Sequence, residues 1–137
     1  MSTRTIFLAK LVGLYSLVAA ICMITHKQTT VEAVTEILRS VALMLVLGVF
    51  TLAVGLAMVL THNVWSGGAL PVVITIVGWL SVMKGLGFLL LSPETETQVF
   101  LANLYYEQNF YFFMAFSIAI GAYLTYFGFA SKTQPQR

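Results

Sequence analysis

The sequence predicts an all-α integral membrane protein, a compact bundle of four transmembrane helices with both termini cytoplasmic and an extended fourth helix. Three observations predict it. Of 137 residues, 59% are hydrophobic and only 9% charged, against about 25% charged in an ordinary soluble domain. The apolar residues are gathered into four long runs, about 6–24, 41–60, 70–91 and 110–130. Each run is close to the ~20 residues that a helix needs to cross a ~30 Å hydrocarbon layer. Seven Lys and Arg with five Asp and Glu cannot coat a folded body in water, so the solvent around most of it is lipid. The length suits a single domain spanning residues 1–137.

The first run is interrupted only by Lys10. Arg4 and Lys10 precede the apolar stretch from Leu11 to Ile24, as in a signal peptide, but no small-x-small cleavage site follows. It reads as a retained signal-anchor helix. Cys22 lies inside this run, and as the only cysteine it excludes an internal disulfide and a multi-cysteine metal site. An apolar neighbourhood predicts a buried, inert thiol.

Between the first two runs, "TTVEAVTEILRS" sets Val31, Val34, Ile37, Leu38 and Val41 at helical spacing, with Glu32, Glu36 and Arg39 elsewhere on the wheel. Thr29 followed by Glu32 has the capping-box pattern. An interfacial helix over about 30–40 is expected, leading into the second span with or without a break. The second run, 41–60, contains no charge.

The stretch "LTHNVWSGGALP", residues 60–71, turns the chain between the second and third runs. Asn63 suits a helix end, Gly67 and Gly68 permit the reversal, and Pro71 fits the start of the next helix. His62 and Trp65 fall at headgroup depth, where amphipathic rings are anchored. The adjacency of His62 and Asn63 goes beyond what a turn requires and marks the pair as a candidate ligand contact, closing over Trp79 on the third span.

The third run, 70–91, carries one charge, Lys84, seven residues from its far end, or roughly 10 Å deep. An ammonium costs about 2.5–3.5 kcal/mol at mid-membrane and less near the interface. Three resolutions are open: the stem snorkels to water, the ammonium pairs with a carboxylate, of which Glu107 is the nearest expected, or it titrates along a transport path. Trp79 lies five residues earlier, so "GWLSVMKG" places two costly side chains in one helix.

After the third run, "SPETETQVF" offers Ser92 as N-cap, Pro93 in the first turn, and Glu94 and Glu96 at the positive end of a helix dipole. The fourth helix can therefore begin near residue 93 and be the longest element. Its apolar part, 110–130, is rich in Phe and Tyr, read as lipid-facing bulk with tyrosines at the interfaces. A flat hydrophobic ligand is the minor alternative.

Small residues give each run a face for close packing: Gly13, Ser16 and Ala20; Gly48, Thr51 and Gly55; Gly78, Ser81 and Gly85; Ser117, Gly121 and Thr125. Orientation follows the positive charges. Arg4 and Lys10 precede the first run and Lys132 and Arg137 follow the last, whereas the loop after the third carries Glu94, Glu96 and Glu107 and no Lys or Arg. Both termini are thus expected in the cytoplasm.

The segment "HNVWSGGALPVVITIVGWLSVMKG", residues 62–85, resembles a group of small bacterial four-span membrane proteins of unassigned function. That group has a His-Asn-x-Trp turn before a third helix containing Gly-Trp and Lys-Gly. His62, Asn63, Trp65, Trp79 and Lys84 carry the likeness. It implies a bacterial inner-membrane location and brings no activity with it.

His26 and His62 end different spans on opposite membrane faces, so they cannot ligate one haem iron, and no HExxH or Cys–His spacing suggests a metal. No nucleophile–base constellation lies within the spans, no basic stripe suits nucleic acid, and no cofactor is expected. The expected protein is a non-catalytic structural or accessory subunit in contact with the lipid bilayer and with itself or a larger membrane complex. The alternative is an oligomeric small-solute or ion transporter using Lys84 and the His62–Trp65 turn. His62, Asn63, Trp65, Trp79, Lys84 and Glu107 are the candidate functional residues under either reading.

Overall fold

The computed structural model describes residues 2–131. They form α1 (Thr3–Thr25), α2 (Lys27–Arg39), α3 (Val41–Thr61), α4 (Ala69–Leu90), a short α5 (Pro93–Thr97) continued by a π-helical turn (Gln98–Asn103), and α6 (Phe110–Ala130). No strand occurs among the described residues. Four helices, α1, α3, α4 and α6, are long and apolar enough to cross a membrane. Their 21–23 residues correspond to roughly 32–35 Å at helical rise. Lys132 and Arg137 of the orientation pattern lie outside the described residues.

The four long helices associate as two antiparallel pairs, α3 with α4 and α1 with α6. Glycine sets the closeness of both. A Cβ on Gly85 would come within 2.5 Å of the Leu52 amide nitrogen, and one on Gly55 within 2.6 Å of that of Val82. In the other pair a Cβ on Gly13 would come within 2.6 Å of the Thr125 nitrogen, and one on Gly128 within 3.1 Å of Lys10 N. Backbone thus meets backbone where the small-residue lines predict it. The pairs join in a buried layer of Ala9 from α1, Met58 from α3, Leu70 and Ile74 from α4, and Leu124 from α6. A second cluster gathers Ala20, Tyr106, Phe110 and Met114, with Val31 and Val34 of α2 against it.

Large apolar side chains cover the outside. Tyr15, Phe50, Leu60, Leu80, Met83, Phe112 and Phe129 are all exposed, as a lipid-facing surface requires. Cys22 is exposed as well. It lies on a face of α1 away from α6, which corrects the expectation of a buried thiol.

The helix expected between the first two runs forms but starts earlier than the capping-box pattern indicates. It begins at Lys27, with His26 alone outside both neighbouring helices, and Thr29 is already inside it. The hydroxyl of Thr30 donates back to the Met23 carbonyl (3.3 Å), which ties the two helices across the joint. At the other end Ser40 is extended, and its hydroxyl accepts from Leu43 N–H (3.4 Å), capping α3. The chain therefore breaks between α2 and α3.

The extended fourth helix does not form. Ser92 caps α5 through Thr95 N–H (3.4 Å), with Pro93 in the first turn, as the sequence indicates. After one further π-helical turn the chain stops at Leu104 and restarts at Phe110. Tyr105 takes a left-handed backbone conformation, with φ of 47°. Asn109 donates from its amide to the Leu104 carbonyl (3.1 Å), closing the turn. The physical reason is the Tyr106 ring. It is buried and packs on Phe100, Phe110 and Phe113 at centroid distances of 5.2, 6.0 and 5.8 Å. A continuous helix would carry Phe100 away from Phe110, and the aromatic cluster would be lost.

Candidate functional site

Two polar constructions stand on α4. The first is the turn between α3 and α4. His62 ends α3, its amide still bonded to the Met58 carbonyl (2.8 Å). Gly67 and Gly68 then reverse the chain with φ of 90° and 117°, values that an L side chain rarely adopts. Above the reversal Asn63 organises both tryptophans. Its Oδ1 accepts from Trp65 Nε1 at 2.8 Å and from Trp79 Nε1 at 3.4 Å. Three of the six candidate residues, drawn from a loop and a helix, therefore share one oxygen. Both rings remain exposed, Trp65 more than Trp79, so part of each is available to lipid or to a partner.

Beneath this group lies Thr75, which is fully buried. Its hydroxyl accepts from Val64 N–H (3.0 Å). Three carbonyls lie within its reach, Pro71 and Val64 at 3.0 Å and His62 at 3.5 Å, and its single proton serves one at a time. The side chain thereby nails the turn to the first helical turns of α4. His62 itself is 3% exposed, and its Nε2 has no hydrogen-bond partner. The ring expected as an interfacial anchor is turned inward against the protein. Packing against α4 draws it in, because the Thr75 bonds pull the backbone of residues 62–64 onto that helix.

The second construction lies nine residues further along α4, about 13 Å along the helix axis. Lys84 Nζ meets Glu96 Oε2 at 2.7 Å, the only ion pair among the described residues. The ammonium also sits over the rings of Phe88 (4.4 Å) and Phe100 (4.6 Å). The Glu96 side chain is 4% exposed and that of Lys84 35%, so the carboxylate is the deeper member. A Cβ on Gly87 would stand 2.9 Å from Glu96 Oε1, and the absence of a side chain there leaves room for the carboxylate against α4. The expected partner, Glu107, is exposed and takes no part in this pair. The chain turns at the extended Leu91–Ser92 link, which sets α5 against α2 and brings Glu96 to Lys84.

Of the candidate residues, Asn63, Trp65 and Trp79 are joined directly, and His62 adjoins them beneath. Lys84 is held at another level and Glu107 belongs to neither group. Sequence reasoning missed Thr75, Glu96, Phe88 and Phe100. A hydroxyl four residues after Pro71 on the inward face was a usable signal for the first. Phe88 stands four residues after Lys84 on the same helix, a spacing that signals the contact, whereas Glu96 and Phe100 depend on how the chain turns after α4. Among the described residues no cluster of three His, Cys, Asp or Glu side chains has the geometry of a metal site.

Outside the spans, the Ser92 hydroxyl and then its own backbone N–H hold the Glu94 carboxyl below the ordinary carboxylate range, while burial raises the Tyr106 phenol. No family model, no curated protein and no solved structure matches the chain.

Proposed function

We propose that the chain is a small non-catalytic membrane subunit that acts through helix–helix contacts, with itself or within a larger membrane complex. The Lys84–Glu96 pair carries this reading. The one charge inside α4 already has a carboxylate at 2.7 Å and two aromatic rings at 4.4 and 4.6 Å. A charge held in this way fastens the α5 segment to α4. On α6, Ala115, Ala119 and Ala122 are exposed, while Gly121 and Gly128 are buried against α1. That second small face is where another helix can approach closely.

In this reading the four spans form a compact bundle in a bacterial inner membrane, with both termini and the 62–68 turn on the cytoplasmic side. The resemblance over residues 62–85 supports the location. The Lys and Arg residues at both ends of the chain, against Glu94, Glu96 and Glu107 after the third span, support the orientation.

Isolation in mild detergent, with identification of co-purifying chains, tests the proposal. The expected result is an oligomer or a discrete complex that Ala119→Leu disperses while helix content is unchanged. A monomer with no companion would overturn it. The unpartnered, buried Nε2 of His62 favours a second reading, an oligomeric transporter of ions or small solutes. That reading requires flux in reconstituted vesicles that Lys84→Met or His62→Leu abolishes.

A further inference from the structure

We infer that the cleft between α2 and α5 binds the headgroup of a zwitterionic aminophospholipid, with its phosphate on Arg39 and its ammonium on Glu94. The inference rests on the proposed membrane placement and extends it to a specific lipid site. The cleft is an open, shallow depression of about 620 Å³ lined by Arg39, Pro93, Glu94, Thr97, Gln98 and Leu101. Its depth follows from the chain: Arg39 lies two residues before Val41, where α3 begins, and Pro93 three residues after Leu90, where α4 ends. The linking residues Ser40, Leu91 and Ser92 are extended, so both walls stand within about 10 Å of the ends of two spans, at the level where phosphates and amines of the bilayer lie.

The charges in the cleft are complementary to a zwitterion. Arg39 and Glu94 line the same space yet form no ion pair with each other or with any other described residue. A guanidinium offers a planar fork to two phosphate oxygens. The carboxylate opposite is held in its charged form by Ser92 and by its own backbone amide, so it accepts from an ammonium. Thr97 is already engaged, donating to the Leu38 carbonyl (3.4 Å) and so bracing α5 against α2. The Gln98 amide adds a neutral donor and acceptor, and Leu101 and Pro93 add apolar walls for the glycerol end.

The lining also discriminates among lipids. A cationic and an anionic side chain together leave the cleft without net charge, which disfavours an anionic headgroup facing Glu94. A trimethylammonium has no N–H to donate to Glu94, and no aromatic side chain lines the cleft to receive it by cation–π attraction. A primary ammonium satisfies the carboxylate.

The test uses the full chain reconstituted in vesicles of equimolar phosphatidylethanolamine, phosphatidylcholine and phosphatidylglycerol. After mild-detergent extraction, the lipids retained per protein are counted by native mass spectrometry. Phosphatidylethanolamine should be retained about tenfold over the other two, the ratio that one charge-assisted hydrogen bond supplies. Arg39→Gln should bring the ratio near parity, and Glu94→Gln should turn the preference toward phosphatidylglycerol. Glu36→Gln, an exposed charge on α2 outside the cleft, should leave the ratio intact. Equal retention of the three lipids by the unaltered chain would overturn the inference. So would an ethanolamine preference that survives both cleft substitutions, or one that Glu36→Gln removes equally. Failure of the chain to float with the vesicles would instead refute the membrane placement, so the two failures are distinguishable.

Discussion

The two ends of α4 bear polar groups held by different physics. Near Ala69 the turn is fastened by neutral hydrogen bonds, several of them sharing an atom: two indoles on Asn63, and one amide and three carbonyls around Thr75. Near Leu90 a short helix is fastened by one ion pair beside two aromatic rings. Shared neutral bonds degrade gradually, because a lost partner leaves others in place. A charged pair degrades abruptly, and unequally from its two sides. The more buried partner suffers more when it is left alone.

The largest effect should come from Lys84→Met. It leaves the Glu96 carboxylate buried without a counter-charge, at a cost of about 3 kcal/mol. Glu96→Gln should cost less, about 1–2 kcal/mol, because the partly exposed Lys84 can extend toward water. The double change Lys84→Met with Glu96→Leu should recover most of the loss, as replacement of buried ion pairs by apolar groups does elsewhere. Unfolding of the four forms in mild detergent ranks them. Equal losses from the two single changes would mean that the ion pair lies in water-like surroundings.

At the other end, Thr75→Val keeps the shape and removes the hydroxyl, leaving Val64 N–H without its partner. About 1–3 kcal/mol should be lost, and amide exchange at Val64 should accelerate while that in the middle of α4 is unchanged. Protection of Val64 equal to that in the native chain would show that the turn is held by packing alone.

The contrast also explains what could be read from the sequence. Four spans and their glycine faces were legible because hydrophobic run length and small-residue spacing are local. The 62–68 turn was legible for the same reason: its glycines, Asn63 and Pro71 lie within a dozen residues, and Trp79 is one helix away. The partner of Lys84 was not. Ser92 and Pro93 correctly mark a helix start, but whether that helix continues depends on Tyr106 finding Phe100 and Phe110 at once. The break leaves Glu107 exposed, and the turn at Leu91–Ser92 brings Glu96 to Lys84. Helix propensity carries no information on that choice, because aromatic packing between distant turns decides it.

The tryptophan pair allows a finer test of the shared acceptor. Asn63→Leu removes the oxygen common to both indoles, at a cost of about 1 kcal/mol, since each N–H can turn to water or to lipid headgroups. The spectroscopic response should be clearer than the energetic one. Trp65 and Trp79 are the only tryptophans, so the emission reports this site alone, and a shift in its maximum is expected. Asn63→Asp retains an acceptor at the same distance and should preserve the native spectrum. A spectrum unchanged in Asn63→Leu would mean that the rings are placed by their surroundings and that Asn63 merely follows them.

The smallest effect belongs to the reversal itself. Nothing lies within 4 Å of a Cβ built on Gly67, whose φ is 90°. Gly67→Ala therefore meets no steric clash and incurs only the backbone cost of a positive φ, about 1 kcal/mol. Because residues 62–64 are anchored separately through Thr75, that strain should stay in the turn. Asn63 should keep both indoles and the emission spectrum should not move, while unfolding begins slightly earlier. A loss near that of Thr75→Val, accompanied by a spectral shift, would show that the glycine conformation is what positions Asn63, and that the hydroxyl only secures a geometry already set by the reversal.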